Sequence, residues 1–379
     1  MVNIMDYGTS RANFLSALAS GAKVIEFPEG EFDYSGTAIS LNRAVTLKGA
    51  GPEATTIKLT EGFRTNTGGL EVEDITFKAT TYSGNNVAFK TTFSGNGLSA
   101  NISGFSFKNC HFHDFFYATY LAGGTYAAAS DPSFVPAGYV TRVKIKDCES
   151  FAPPTSEMNS GHFQHILTRD VEVSGCSTYG GGSATAGQGA SSYNFIGNNG
   201  YLRVYGNYDA FNTYASCEVE NNSGPAEVFG NTFGSDIWID DSVNVNVFGN
   251  NVERDILVTV QNFNVQNIKV VHNHASRIRL IKFGTTQTNP LVVDAILISE
   301  NHLNGTGTYA IYVQDDNNRF KRVDIKGNFI TGHYTSGSVF VNKFGNMYCQ
   351  VRDNWFINTG VIGLFISGSA GTVTNSGNV

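Results

Sequence analysis

Asparagine returns at one phase through the second half of the chain. A short phrase, two alternating apolar positions, then glycine or a polar residue, then Asn, appears as Val228-Phe229-Gly230-Asn231 and Val247-Phe248-Gly249-Asn250. It recurs at Val270-Val271-His272-Asn273, Ile298-Ser299-Glu300-Asn301, Ile325-Lys326-Gly327-Asn328 and Val351-Arg352-Asp353-Asn354. From Asn250 through Asn273, Asn301, Asn328 and Asn354 to Asn378 the steps are 23, 28, 27, 26 and 24 residues. A period in the twenties made of short alternating strands marks a solenoid, whereas a sandwich has turns without one residue type at one phase.

In the first half the same phrase carries Cys: Phe107-Lys108-Asn109-Cys110, Ile145-Lys146-Asp147-Cys148 and Val173-Ser174-Gly175-Cys176. Val204-Tyr205-Gly206-Asn207 then switches to Asn. A small buried residue at one tight corner of every coil accounts for both: Asn tolerates unusual backbone angles and bonds to the turns above and below, and Cys fills the space as a small hydrophobe. Five Cys without disulfide-framework spacing are read as reduced core thiols. Each coil has a second strand about twelve residues earlier, such as Asp236–Asp240, Ala310–Gln314, Ser338–Val341 and Gly363–Ile366. Alternation puts Ile237, Ile239, Ile311, Val313, Val339 and Val341 inside and Trp238, Asp240, Tyr312 and Gln314 outside.

The expected fold is therefore all-β, a single-stranded right-handed parallel β-helix with a short N-terminal capping helix. Residues 1–35 form the cap and first coil, and 36–379 the β-helix. Ser10 caps the helix, Phe14, Leu15 and Leu18 share its face, and Gly21 ends it. Charged residues at 15%, well below the usual quarter, with 28 Phe and 17 Tyr, fit a β-rich chain. A net charge of −7 without a basic run argues against nucleic acid as partner. The longest apolar stretches are strand-sized, so no membrane insertion is expected. Residues 1–9 lack a basic start followed by an apolar run, so no signal peptide is read.

The opening, Tyr7-Gly8, a short helix, then Val24-Ile25-Glu26-Phe27-Pro28-Glu29-Gly30-Glu31-Phe32, resembles that of pectin-lyase-like β-helix proteins and most of all bacteriophage tailspike depolymerases. Where those proteins often have an Asp-rich segment, this chain has Thr9-Ser10-Arg11-Ala12-Asn13. The resemblance implies a virion tail protein, otherwise a secreted one, that acts on a bacterial cell-surface polysaccharide as a homotrimer. Relatives include hydrolases, lyases, epimerases and adhesins, so chemistry must come from the site.

Aligning coils on the slot sets Glu218 beside Trp238 and Glu220 beside Asp240, with Asn194 one coil earlier and His162 and Gln164 before it. Thr259 and Gln261 continue the column after Trp238, and Arg277 and Arg279 follow. Glu218, Glu220, Asp236 and Asp240 are the expected catalytic pool, because glycoside hydrolysis needs two carboxyls and neighbouring rungs supply them. Crowding keeps one of them protonated. His162, Gln164, Asn194, Trp238, Thr259 and Arg279 are the expected substrate contacts, Trp238 offering a plane for a sugar ring. The bland alternative is a solvated acidic face.

A lyase or epimerase on a uronic-acid polymer is the rival, with His162 and His165 near Glu157 and Arg169; loop or structural histidines are its bland counterpart. A non-catalytic adhesin is the third reading. His111-x-His113-Asp114 and His272-x-His274 fall short of the three or four convergent ligands of a zinc site, so neither metal nor cofactor is expected. Gly180-Gly181-Gly182 with Gly187 and Gly189 lacks the Lys-Ser/Thr of a phosphate loop. Asp315-Asp316-Asn317-Asn318 matches a calcium loop in composition only. At the other end Gly363–Ile366 is still a core strand, so either a partner subunit covers it or the natural chain continues. Side-by-side trimer contacts would then take Tyr312 and Phe340.

Overall fold

The structure, a computed structural model, describes residues 1–379 without 82–85, 132, 153–160, 182–190, 211, 262, 283–291, 315–319, 343–346, 358–362, 368–371 and the side chain of Lys282. The chain divides into two compact units, Met1–Arg203 with Asn207–Ala215, and Val204–Gly206 with Ser216–Val379. Both are built the same way. Between the terminal first-sheet strands Val2–Asn3 and Thr372–Ser376, each coil lays one strand in each of three sheets in the same order, and strands pair in parallel with their counterparts one coil on. That is the parallel β-helix expected from the repeat.

In the N-terminal unit the first sheet runs from Val2–Asn3 to Thr168–Ser174, the second from Gly30–Asp33 to Tyr208–Ala210, and the third from Ile39–Ser40 to Tyr193–Ile196. Its helix is Arg11–Ala19, and Ser10 accepts a hydrogen bond from the Asn13 amide at 3.3 Å. The buried face is Phe14 and Ala17, while Leu15 is exposed, so the expected Phe14/Leu15/Leu18 stripe is turned by a residue. Phe14 stacks on Tyr34 with ring centroids 4.8 Å apart and meets Phe63 edge-on at 6.1 Å, which lays the helix on the aromatic core. A second helix, Tyr126–Ala129, had no signal in the repeat. It sits in the connection after the third-sheet strand Tyr117–Ala122, and Ala129 packs with Tyr139, Leu167 and Ile196 outside that sheet.

In the C-terminal unit the first sheet runs from Ala226–Phe229 to Thr372–Ser376, the second from Thr232–Phe233 to Trp355–Phe356, and the third reaches Leu364–Ser367. Ile237, Ile239, Ile256, Val258, Ile278 and Leu280 alternate inward on the third sheet, all buried. Each contributes about 1.5–3 kcal/mol relative to exposure, so the inward face holds the sheet and the outward face is released for chemistry.

The Asn slots stack in one line. From Asn231 to Asn378, each side-chain Nδ2 donates to the Oδ1 of the next Asn at 2.9–3.0 Å, and each backbone N–H donates to the same oxygen. Nδ2 also donates to a first-sheet carbonyl of the preceding coil, as Asn273 does to Val247 O at 3.0 Å. One expectation is corrected here. The slot Asn does not take the unusual backbone angle; the residue before it does, at Gly230 (φ +62), Gly249 (+64), His272 (+54), Glu300 (+56), Gly327 (+63) and Asp353 (+56). The Asn is selected by its amide, which is both donor and acceptor. In the N-terminal unit Cys110, Cys148 and Cys176 fill the slot, buried and free, with Sγ of each facing the carbonyl two residues back at 3.3–3.4 Å.

Candidate active site

The outward face of the third sheet in the C-terminal unit carries the acidic pool. Asn221 N–H bonds to Asp240 O at 3.0 Å, which in a parallel ladder sets Glu220 beside Asp240 and Glu218 beside Trp238, as the slot alignment required. On the next coil the register is Trp238 with Leu257 and Asp240 with Thr259, so Thr259 continues the column but stands beside Asp240, two residues from the expected match with Trp238. Leu257 then pairs with Arg279, and Arg279 with Tyr312.

None of the four acids is solvated. Glu218, Glu220, Asp236 and Asp240 are buried, which disposes of the solvated acidic face. Asp240 is strongly perturbed. Its Oδ1 accepts from Thr259 Oγ1 at 2.6 Å and its Oδ2 from Gln261 Nε2 at 2.7 Å. Thr259 Oγ1 in turn accepts from the indole of Trp238 at 2.7 Å. These donors favour the charged form, but burial and the nearby Asp241 and Glu220 outweigh them and push the carboxyl up to about 7. Trp238 is thereby fixed as one wall of the acid's setting.

Asp236 lies at the start of the same strand, four residues and roughly 13 Å along the sheet from Asp240. Its carboxyl accepts from the Asp255 amide at 2.9 Å and faces Arg254 Nε at 3.6 Å. Burial raises its pKa above the ordinary carboxylate value against these two influences.

Asp255 was missed from sequence. It is buried and takes two guanidinium groups: Arg277 donates from Nε at 2.9 Å and Nη2 at 2.7 Å, and Arg279 Nη2 lies at 2.8 Å. The signal was present. Asp236 follows slot residue Asn231 by the same interval as Asp255 follows Asn250, but matching Thr259 to Trp238 slid the coil and dropped Asp255 out of the column.

The remaining expected contacts lie elsewhere. His162 is not on the outward face: it is buried, with Nδ1 2.7 Å from Ser150 Oγ and Nε2 3.0 Å from Gly180 O, and burial lowers its pKa to about 4. The strand begins one residue later, at Phe163, so His162 turns into the corner. His165 points inward with Phe163, 3.5 Å from Thr119 Oγ1, and burial lowers its pKa to about 3. Arg169 lies over the Tyr139 ring at 3.8 Å. Gln164 and Asn194 do pair on the outward side of the third sheet of the N-terminal unit, next to Tyr120.

Of the His pairs, His113 stacks on Phe151 at 4.6 Å, His274 on His302 at 4.8 Å, and His272 meets Glu300 at 3.2 Å. Among the described residues no group of three or more His, Cys, Asp or Glu converges as metal ligands, and no helix is long and apolar enough to cross a membrane. Glu157, Gly182, Gly187, Gly189 and Asp315-Asp316-Asn317-Asn318 lie outside the described residues.

No protein-family model and no curated protein matches the chain. Solved structures similar to it include the mannuronan C-5 epimerase A-module of Azotobacter vinelandii, at 15% identity over 99% of this chain and 100% of that one, TM-score 0.42. The catalytic domain of a GH87 α-1,3-glucanase in complex with tetrasaccharides is similar at 13% identity over 97% and 67%, TM-score 0.48. The catalytic unit of a thermostable GH87 α-1,3-glucanase from Streptomyces thermodiastaticus is similar at 14% identity over 100% and 68%, TM-score 0.40. What this chain does chemically rests on its own residues.

Proposed function

We propose that the protein is a tailspike-type depolymerase that hydrolyses internal glycosidic bonds of a bacterial capsule, O-antigen or exopolysaccharide. It would work as a homotrimer on the virion tail, and otherwise as a secreted enzyme. The observation that carries the proposal is Asp240, a carboxyl held near pH 7 by burial and by Asp241 and Glu220. A glycosidase needs such a group to protonate the leaving oxygen at neutral pH. The backbone of Glu220 lies about 4.8 Å away on the adjacent rung and that of Glu218 about 8 Å away on the diagonal, by ordinary strand spacing. Partnership with Glu220 would give retention of configuration, and partnership with Glu218 inversion. Trp238, tied to the same network, offers the sugar a flat apolar wall.

The lyase reading loses ground on one observation. Its two histidines are buried, and both ring nitrogens of His162 are already bonded. The test is incubation with a panel of bacterial surface polysaccharides. New reducing ends without an unsaturated, ultraviolet-absorbing sugar support hydrolysis. An unsaturated product supports the lyase, and binding without cleavage supports an adhesin. With a cleaved polymer in hand, Asp240→Asn should lose about a hundredfold or more in rate. Parent rates for all four amide variants would move the chemistry away from this face.

A further inference from the structure

Beyond the acids, on the same face, a cavity of about 260 Å³ is lined by Arg277, Arg279, Ile281, Thr308, Tyr309 and Tyr312. It falls just below the roughly 300 Å³ at which pockets begin to take drug-sized ligands, so it suits a single sugar ring. Its charge is unbalanced. Asp255 has one negative charge and two guanidinium groups on it, while the neighbouring Asp236 is matched by Arg254. Among the described residues of this cluster, one positive charge is left over beside the cavity, on half-exposed guanidinium groups.

The arginines are held in place rather than free to swing. Arg277 grips Asp255 through two parallel N–H bonds, and Arg279 shares one of the same oxygens, leaving its Nε without a partner among the described residues. Gly307 has φ +147, and a Cβ there would lie 2.8 Å from Arg277 Nη1, so glycine is what lets the strand pass over this side chain. The other end of the cavity is aromatic. Tyr309 and Tyr312 stack with centroids 5.7 Å apart, and Phe340 backs both at 4.6 and 5.0 Å.

A pre-set cationic end, a hydroxyl from Thr308 and an aromatic wall match one chemical class: a sugar with an apolar C–H face and a carboxylate. We infer that this cavity is a subsite for a uronic acid residue of the substrate, its carboxylate on Arg279 and its ring against the tyrosines. The inference rests on the polysaccharide reading above and narrows it to acidic polymers. Asp255 is a positioning residue here, since it orients both arginines.

The test measures direct binding of D-glucuronate, D-glucose and acetate to the intact protein by ligand-observed NMR, so that it does not depend on cleavage. Glucuronate should bind more tightly than either control. Arg279→Gln should weaken it about tenfold or more, the range of a charged hydrogen bond. Tyr312→Ala should weaken it severalfold, and Tyr312→Phe should restore it, which guards against a variant that merely folds poorly. Glucose binding as tightly as glucuronate, acetate binding as tightly as glucuronate, or an unchanged Arg279→Gln would overturn the subsite. Glucuronate binding with no polymer cleaved would overturn the hydrolase and leave the subsite standing; cleavage of neutral polymers alone would do the reverse.

Discussion

The inner corner and the outer face of the C-terminal unit both stack polar side chains at the same rung spacing, and the two columns end in opposite electrostatic states. In the corner, the amides from Asn231 to Asn378 are self-complementary, each donating to the next and accepting from the one before. On the face, Asp240 is a buried carboxyl with Asp241 and Glu220 near it, and burial first, then those two charges, lifts it to about 7. The same burial and rung spacing therefore satisfy an amide and frustrate a carboxylate. A solenoid core has no need of the second column, so its cost is reasonably read as the cost of a site.

Breaking the corner should have the largest effect. Asn301 accepts the Asn273 N–H and Nδ2 at 2.9 and 3.0 Å and donates to Asn328, Val270 O and Ser299 O. Asn301→Leu has similar bulk but leaves the buried Asn273 N–H without its acceptor, at about 1–3 kcal/mol, and cuts the amide ladder on both sides, while Asn273 Nδ2 keeps Val247 O and Val271 O. We expect a loss of about 3 kcal/mol or more in urea unfolding, or insoluble protein. A loss under about 1 kcal/mol would show that the ladder is decoration on a corner held by apolar packing.

The frustrated column makes the opposite prediction, in pH. The folded pKa of Asp240 is raised, from 3.8 to about 7. Between those values the folded chain keeps a proton that the unfolded chain has released, so the slope of stability against pH is negative. The contribution is full below about pH 4 and is lost as pH rises through 7, at most on the order of 4 kcal/mol. Asp240→Asn removes the titration. The parent should lose stability from pH 5 to pH 8, and the variant should lose markedly less. Parallel curves would place the perturbed proton elsewhere.

The sequence made the corner far more legible than the face, for a physical reason. The slot admits one small residue per coil, so Asn and Cys announce its phase directly. The face announces itself only through register, and register is inherited from the slot across a turn of variable length. A two-residue slip there cost the pairing of Thr259 with Asp240 and hid Asp255 altogether. His162 failed differently: strand alternation was extended one residue past the start at Phe163, where the chain still turns. The helix Tyr126–Ala129 belongs to an excursion between sheets, which a coil period does not describe.

The smallest effect sharpens what the corner asks of each residue. The position before each slot lies in the left-handed region, whether it is Gly230 at φ +62 or His272 at φ +54. Side chains there cost roughly 1–2 kcal/mol because Cβ crowds the following carbonyl. A Cβ on Gly230 would meet nothing within 4 Å, so Gly230→Ala isolates that backbone cost from any clash. We expect it to destabilise the chain by about 1 kcal/mol. His272→Gly should do the reverse, gaining up to about 1 kcal/mol, less the small worth of its exposed contact with Glu300 at 3.2 Å. The two changes together should nearly cancel, because the positions lie two coils apart. If His272→Gly instead destabilises, the polar residues before the slot are held there by their coil-to-coil contacts, and the corner selects a side chain at two positions rather than one.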